Sequence, residues 1–128
     1  MALRILRSYH APSRDRIAQA GAVQSWVQAN LLYVPEPGDI WMDPLRTLWS
    51  GGGDCDDHAI VVASLLGSLR IPARFVVLRR RGRGFHVFVE AGFPDRNPQR
   101  WIAVETVIPV PFGWDPRQAG PEELRRFM

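Results

Sequence analysis

The only thiol in the chain is Cys55, set within Gly53-Asp54-Cys55-Asp56-Asp57-His58. A single cysteine excludes an internal disulfide, and most lone cysteines are small buried hydrophobes. Glycine, aspartate and histidine neighbours describe a poor core site, so these surroundings favour a reactive group. Asp54 is placed to cap a helix, and Asp57, three residues on, can reach back to the cap's own N–H. Cys55 then falls in the first helical turn, where unpaired N–H groups and a partial positive charge favour a thiolate. The same N–H groups can bind the oxyanion that forms when sulfur attacks a carbonyl. Asp54, Asp56 and Asp57 oppose the thiolate, each by about 1 kcal/mol or less at a surface. An imidazole is needed to settle the protonation state.

His86 can supply it. The segment Phe85–Ala91 alternates, with Phe85, Val87 and Val89 on one strand face and His86, Phe88 and Glu90 on the other. Where the second face meets the N-terminus of the Cys55 helix, thiol and imidazole come within proton-transfer distance. A third group must orient the ring, and Glu105 on the next strand is the candidate, with Asp95 and Asp115 as poorer substitutes. Glu90 reads as a solvated or arginine-paired strand residue. Tyr33, Trp49 and Asp54 are candidates for the oxyanion and substrate pocket, and the sequence does not choose among them. Cys55, His58, His86 and Glu105 could instead hold zinc. Against that stand the lack of a second cysteine and the capping role that already explains Asp54 and Asp57. His58 is then an ordinary helix residue, and neither metal nor cofactor is expected. Trp26, Trp41, Trp49, Trp101 and Trp114 are mostly packing residues.

The elements that must position these groups follow from the periodicity. Residues 1–12 show no clear period. Ser13 suits a helix N-cap, followed by Ile17, Ala20, Val23 and Val27 at three- and four-residue spacing, so a helix is expected to about Asn30. Pro35, Pro37 and Gly38 break it, and 33–53 reads as a long ordered loop. From Ala59 to Leu69 nearly every residue is apolar or small, which places the Cys55 helix in the middle of the domain until Pro72 ends it. Val- and Phe-rich strands are expected at Ala73–Leu78, Phe85–Ala91 and Trp101–Val107, with Arg79-Arg80-Arg81-Gly82-Arg83 as a solvated hairpin tip. Helices first and then consecutive strands predict an α+β fold with an antiparallel sheet. The chain turns irregular and proline-rich from about 108, with a last short helix near Glu122–Arg126.

Gly53-Asp54-Cys55-Asp56-Asp57-His58-Ala59, continued by Leu65-Leu66-Gly67-Ser68-Leu69-Arg70-Ile71-Pro72-Ala73-Arg74, resembles the nucleophile motif and helix of the transglutaminase-like superfamily. Phe85-His86-Val87-Phe88-Val89-Glu90 resembles its histidine strand. Trp101-Ile102-Ala103-Val104-Glu105-Thr106 is similar to its third-residue strand, where the family usually carries aspartate. The resemblance runs from about Ile17 to Thr106. It implies a papain-like α+β core, with the Cys-bearing helix packed on an antiparallel sheet that carries the histidine and the acid. It also implies acyl chemistry through a thioester, with Cys55, His86 and Glu105 as the catalytic residues. Pro111-Phe112-Gly113-Trp114-Asp115-Pro116 is similar to small phage- and prophage-encoded members.

Length and composition bound the rest. At 128 residues, with 46% hydrophobic and 23% charged residues, the chain has the size and make-up of one soluble domain, 1–128. No apolar run approaches the roughly 20 residues that span a bilayer. The N-terminus lacks a signal-peptide core, so the expected location is the cytoplasm, or a virion. Every basic residue is arginine and these are spread along the chain, so no specific nucleic acid is expected. The expected function is cysteine-dependent hydrolysis of a peptide or protein amide. Alternatives are a structural or binding module, including one that meets phage structural proteins, and a crosslinking transamidase. Hydrolysis ranks above crosslinking because so small a core brings no partner domain to hold an amine.

Overall fold

A computed structural model describes residues 1–12, 14–33, 52–80 and 84–118, of which 32–33, 52–53, 79–80 and 84–85 are described through their backbone alone. Helix α1 (Ala2–Ser8) was not expected from the sequence period. Ala2, Ile5 and Leu6 are buried at helical spacing. Seven residues are too few to hold a helix alone, so its packing on the next helix sustains it. Helix α2 (Arg16–Asn30) is capped by Asp15, whose carboxylate accepts from the Ala18 N–H at 2.9 Å. The cap is therefore not Ser13, which lies outside the described residues. Starting the helix at Arg16 leaves Ile17 in the first turn and 41% exposed, while Ala20, Val23 and Val27 face the core as expected.

Helix α3 (Cys55–Ser68) opens on a complete capping box: the Asp57 N–H donates to Asp54 Oδ1 at 3.2 Å, and the Asp54 N–H donates to Asp57 Oδ2 at 3.1 Å. Ala59, Val61, Val62, Leu65 and Leu66 are buried, whereas Ser64, Gly67 and Ser68 form a narrow exposed strip. The helix exits through a Schellman turn, with Ile71 N–H on Leu66 O at 2.9 Å, Arg70 N–H on Gly67 O at 3.0 Å, and Arg70 left-handed at φ 60°. Arg16 of α2 reaches this end, donating to Leu69 O and to Gln19 Oε1, so a cation meets the negative pole of the helix.

Three antiparallel strands follow in the order β3–β4–β5: β3 (Ala73–Arg80), β4 (Gly84–Phe93) and β5 (Arg100–Val104). A short parallel pair precedes them, β1 (Leu32–Tyr33) with β2 (Gly52–Gly53), matching Tyr33 to Gly53 just before the Cys55 helix. Residues 34–51, which hold most of the expected loop, the hairpin tip at 81–83, and the last expected helix lie outside the described residues. A 3-10 turn, Pro116–Gln118, is the final described element. The first and second sheet strands are longer than expected, and the third stops at Val104, which puts Glu105 one residue past the ladder.

Val87, Val89, Ala91 and Phe93 join α2 and α3 in the core. The opposite face of β4 is also closed: His86, Phe88 and Glu90 are each 2% exposed. Glu90 is not solvated, because Arg74 and Arg117 cover it, at 2.9 Å and 2.6 Å. Trp101 stands over Gly92, where an added Cβ would come within 2.9 Å of its ring, so the position requires glycine. Among the described residues no helix is long and apolar enough to cross a membrane.

Candidate active site

Three elements converge on one point. The capping box fixes the first turn of α3 and with it Cys55, which is half-buried. β4 delivers His86, and the chain leaving β5 delivers Glu105. His86 Nε2 lies 2.5 Å from Glu105 Oε2. The other carboxylate oxygen, Oε1, accepts the backbone N–H of Val107 at 3.0 Å, so both oxygens have a partner. Phe88 stacks beside the imidazole, ring centroids 5.9 Å apart and planes at 23°, and Arg117 lies over the Phe88 ring at 5.7 Å.

Nδ1, the ring nitrogen facing away from the acid, is buried and has no hydrogen bond of good geometry among the described residues. Cys55 is nevertheless close enough to act on the ring's charge through hydrogen bonding and electrostatics. Thiol and imidazole are thus neighbours. Burial alone would press the imidazolium down. Cys55 and Glu105 outweigh it and raise His86 from 6.5 to about 9. Asp54 moves the same way: burial, with the charges of Asp57 and Asp56, lifts its carboxyl to about 6 against the opposing Asp57 N–H bond.

The other expected site residues fall as follows. Asp54 turns its carboxylate back on its own helix as the cap. Tyr33 is placed through its backbone in β1, beside Gly53. Trp49 lies outside the described residues. Asp95 meets Arg16 at 3.8 Å, and Asp115 is held by Arg117, which keeps its carboxyl below the ordinary range. Neither is the partner of His86. His58 is 1% exposed, and its Nδ1 lies 3.1 Å from Thr106 Oγ1, which ties α3 to the residue after Glu105. No group of three or more His, Cys, Asp or Glu among the described residues is arranged to hold a metal ion. Sequence reasoning missed Gln28, whose side-chain amide donates to the carbonyls of Glu105, Ile108 and Val110 at 3.0, 3.0 and 2.9 Å. Its signal was faint: Gln24 and Gln28 are polar residues four apart on a helix otherwise read for its apolar positions.

The profile of the transglutaminase-like superfamily matches residues 4–106, and the chain belongs to that family. An inferred cysteine protease of Cytophaga hutchinsonii shares its fold, with a TM-score of 0.63 at 19% identity over 82% of this chain and 36% of that one. Calcium-bound LapG of Legionella pneumophila superposes with a TM-score of 0.61 at 18% identity, covering 84% of this chain and 61% of LapG. A protein described as a TGase gives 0.62 at 16% identity, covering 99% of this chain and 35% of that one. The chain therefore spans between about a third and three fifths of the length of these structures. No curated protein matches its sequence significantly. The α+β architecture is thus the papain-like, transglutaminase-like core of a cysteine-enzyme fold.

Proposed function

We propose that the protein is a cysteine-dependent amide hydrolase with Cys55, His86 and Glu105 as its catalytic residues. The observation that carries this reading is the buried His86–Glu105 bond, which leaves Nδ1 as the nitrogen available to the half-buried thiol. Before the reaction the thiol proton passes to Nδ1, leaving a thiolate beside the His86 imidazolium, and the sulfur then attacks the carbonyl carbon of a peptide or glutamine-type amide. The backbone N–H of Cys55, in the open first turn of α3, is suited to receive the oxyanion, with Tyr33 or Trp49 as further candidates for this pocket. The imidazolium returns its proton to the leaving nitrogen as the C–N bond breaks, giving a thioester. Water then attacks the thioester, passing a proton through His86 to the sulfur, and releases the acid. Glu105 stays ionised and holds the ring in the tautomer and orientation both steps need.

The test is mass spectrometry of Cys55 after incubation with candidate peptides, together with a thiol-directed electrophile. An acyl adduct, and a fast, pH-dependent alkylation that disappears in His86→Ala, are the expected results. Alkylation no faster than that of a free thiol would replace the enzyme with a binding module built on the same fold.

A further inference from the structure

The geometry points to Gln28 as a positioning residue for Glu105: its amide fixes the backbone that carries the acid. This rests on the catalytic reading only for the role of the acid, since the contacts stand by themselves. Glu105 lies one residue beyond β5, so the strand ladder does not hold its peptide. It is also a methylene longer than aspartate and has one more torsion to fix. Its Oε1 accepts from Val107 only two residues away, a bond that can move with the segment. Among the described residues, the segment is tied to the helices by the His58–Thr106 contact on α3 and by the Gln28 and Gln24 amides on α2, and of these only Gln28 reaches the backbone of Glu105. Three carbonyls, from Glu105, Ile108 and Val110, converge on one nitrogen that has two hydrogens, so the chain is wound about the Gln28 side chain. Gln24, one turn earlier, binds Val110 O alone at 2.9 Å. It grips the same segment without touching the acid, and so serves as the control.

Among the described residues, the charged and titratable groups that act on the His86 ring are Cys55 from α3 and Glu105 after β5, with Glu90 further along β4 paired with Arg74 and Arg117. Loosening Glu105 removes one of the two groups that favour the imidazolium. The experiment is an NMR titration of the His86 ring in the full chain, with iodoacetamide alkylation of Cys55 alongside, for wild type, Gln28→Met and Gln24→Met. Gln28→Met should lower the ring's midpoint by about one pH unit or more, equivalent to roughly a tenfold loss of imidazolium preference. Gln24→Met should leave the midpoint in place. A raised midpoint in wild type that Gln28→Met shares would overturn the inference, as would a wild-type midpoint near the ordinary histidine value. A midpoint that falls in Gln28→Met while Cys55 reacts as a free thiol in every variant supports the positioning role and removes the catalytic reading. Should Gln28→Met not fold, Gln28→Asn keeps an amide one methylene too short and carries the same decision.

Discussion

Nε2 of His86 and Oε2 of Glu105 lie 2.5 Å apart, with each side chain only 2% exposed. Glutamate is one methylene longer than aspartate, and the structure shows the path its carboxylate takes. The strand stops at Val104, the chain bends, and the carboxylate reaches back to the ring while its second oxygen takes the Val107 N–H. A buried carboxylate bonded to imidazole favours the charged ring, because the attraction acts across a poorly screened gap.

The ring should therefore hold its proton through neutral pH, with an NMR midpoint near 9. Glu105→Gln keeps the shape but removes the charge, and should lower that midpoint by roughly 1–3 pH units. The sign for catalysis follows. Below about 9 the ring can protonate the leaving nitrogen, and above it cannot, so acyl transfer should fall as pH rises through about 9. Alkylation of Cys55 needs no acid and should not fall there. Parallel alkaline limbs in both assays would show that the limb belongs to another group.

Asp54 is a cap and a nearby negative charge at once, and the two roles can be separated. Asparagine caps as well as aspartate, so Asp54→Asn should fold normally while easing the repulsion on a Cys55 thiolate. Alkylation at pH 7 should rise by up to about fivefold, the equivalent of about 1 kcal/mol for a partly screened charge. Because the Asp54 carboxyl titrates at about 6, wild type already carries it mostly protonated at pH 5, and the advantage should shrink there. A slower reaction in a folded Asp54→Asn would mean that the carboxylate itself serves the pocket.

Much of the site was legible because its chemistry is local. The spacing of Asp54 and Asp57 dictates a capping box, and the box dictates where Cys55 sits. The alternation of β4 correctly separated His86 from Val87 and Val89, but alternation reports only which face a residue occupies, not what covers it. The covering of Glu90 comes from Arg74 and Arg117 and that of Phe88 from Arg117, which lies far along an irregular segment, and no period announces that. Helix α1 was missed for the same reason, since seven residues show two turns at most and tertiary packing supplies the rest. Gln28 left only the faint signal of its spacing from Gln24, because a glutamine that binds backbone carbonyls leaves no trace in the types of its partners.

A stability change separable from the site is expected at Arg70. It is an exposed, non-glycine residue in the left-handed region at φ 60°, where the Schellman turn of α3 would favour glycine. Arg70→Gly relieves the strain at the cost of a freer unfolded chain, and the net gain should be about 0.5–1 kcal/mol. Denaturant unfolding should show a higher midpoint with an unchanged slope. No gain would mean that the Arg70 side chain makes a compensating contact.

The acyl acceptor separates hydrolase from transamidase. These 128 residues contain no lysine and so offer no side-chain amine to an acyl-enzyme. On the proposed mechanism water is the default acceptor of the thioester on Cys55, being in vast excess. An amine wins only where a site raises its effective concentration, which for well-oriented reactants can be very large. Among the described residues, neither Glu105, with both oxygens engaged, nor Glu90, closed off by two arginines, is free to hold an amine cation. In the presence of a small primary amine at modest concentration, a glutamine peptide that acylates Cys55 should therefore yield mainly the hydrolysed acid. Mass spectrometry of the product pool reads the ratio directly. Nearly complete amine incorporation would sink the hydrolase assignment in favour of a transamidase and would require an amine site supplied by some other part of the protein.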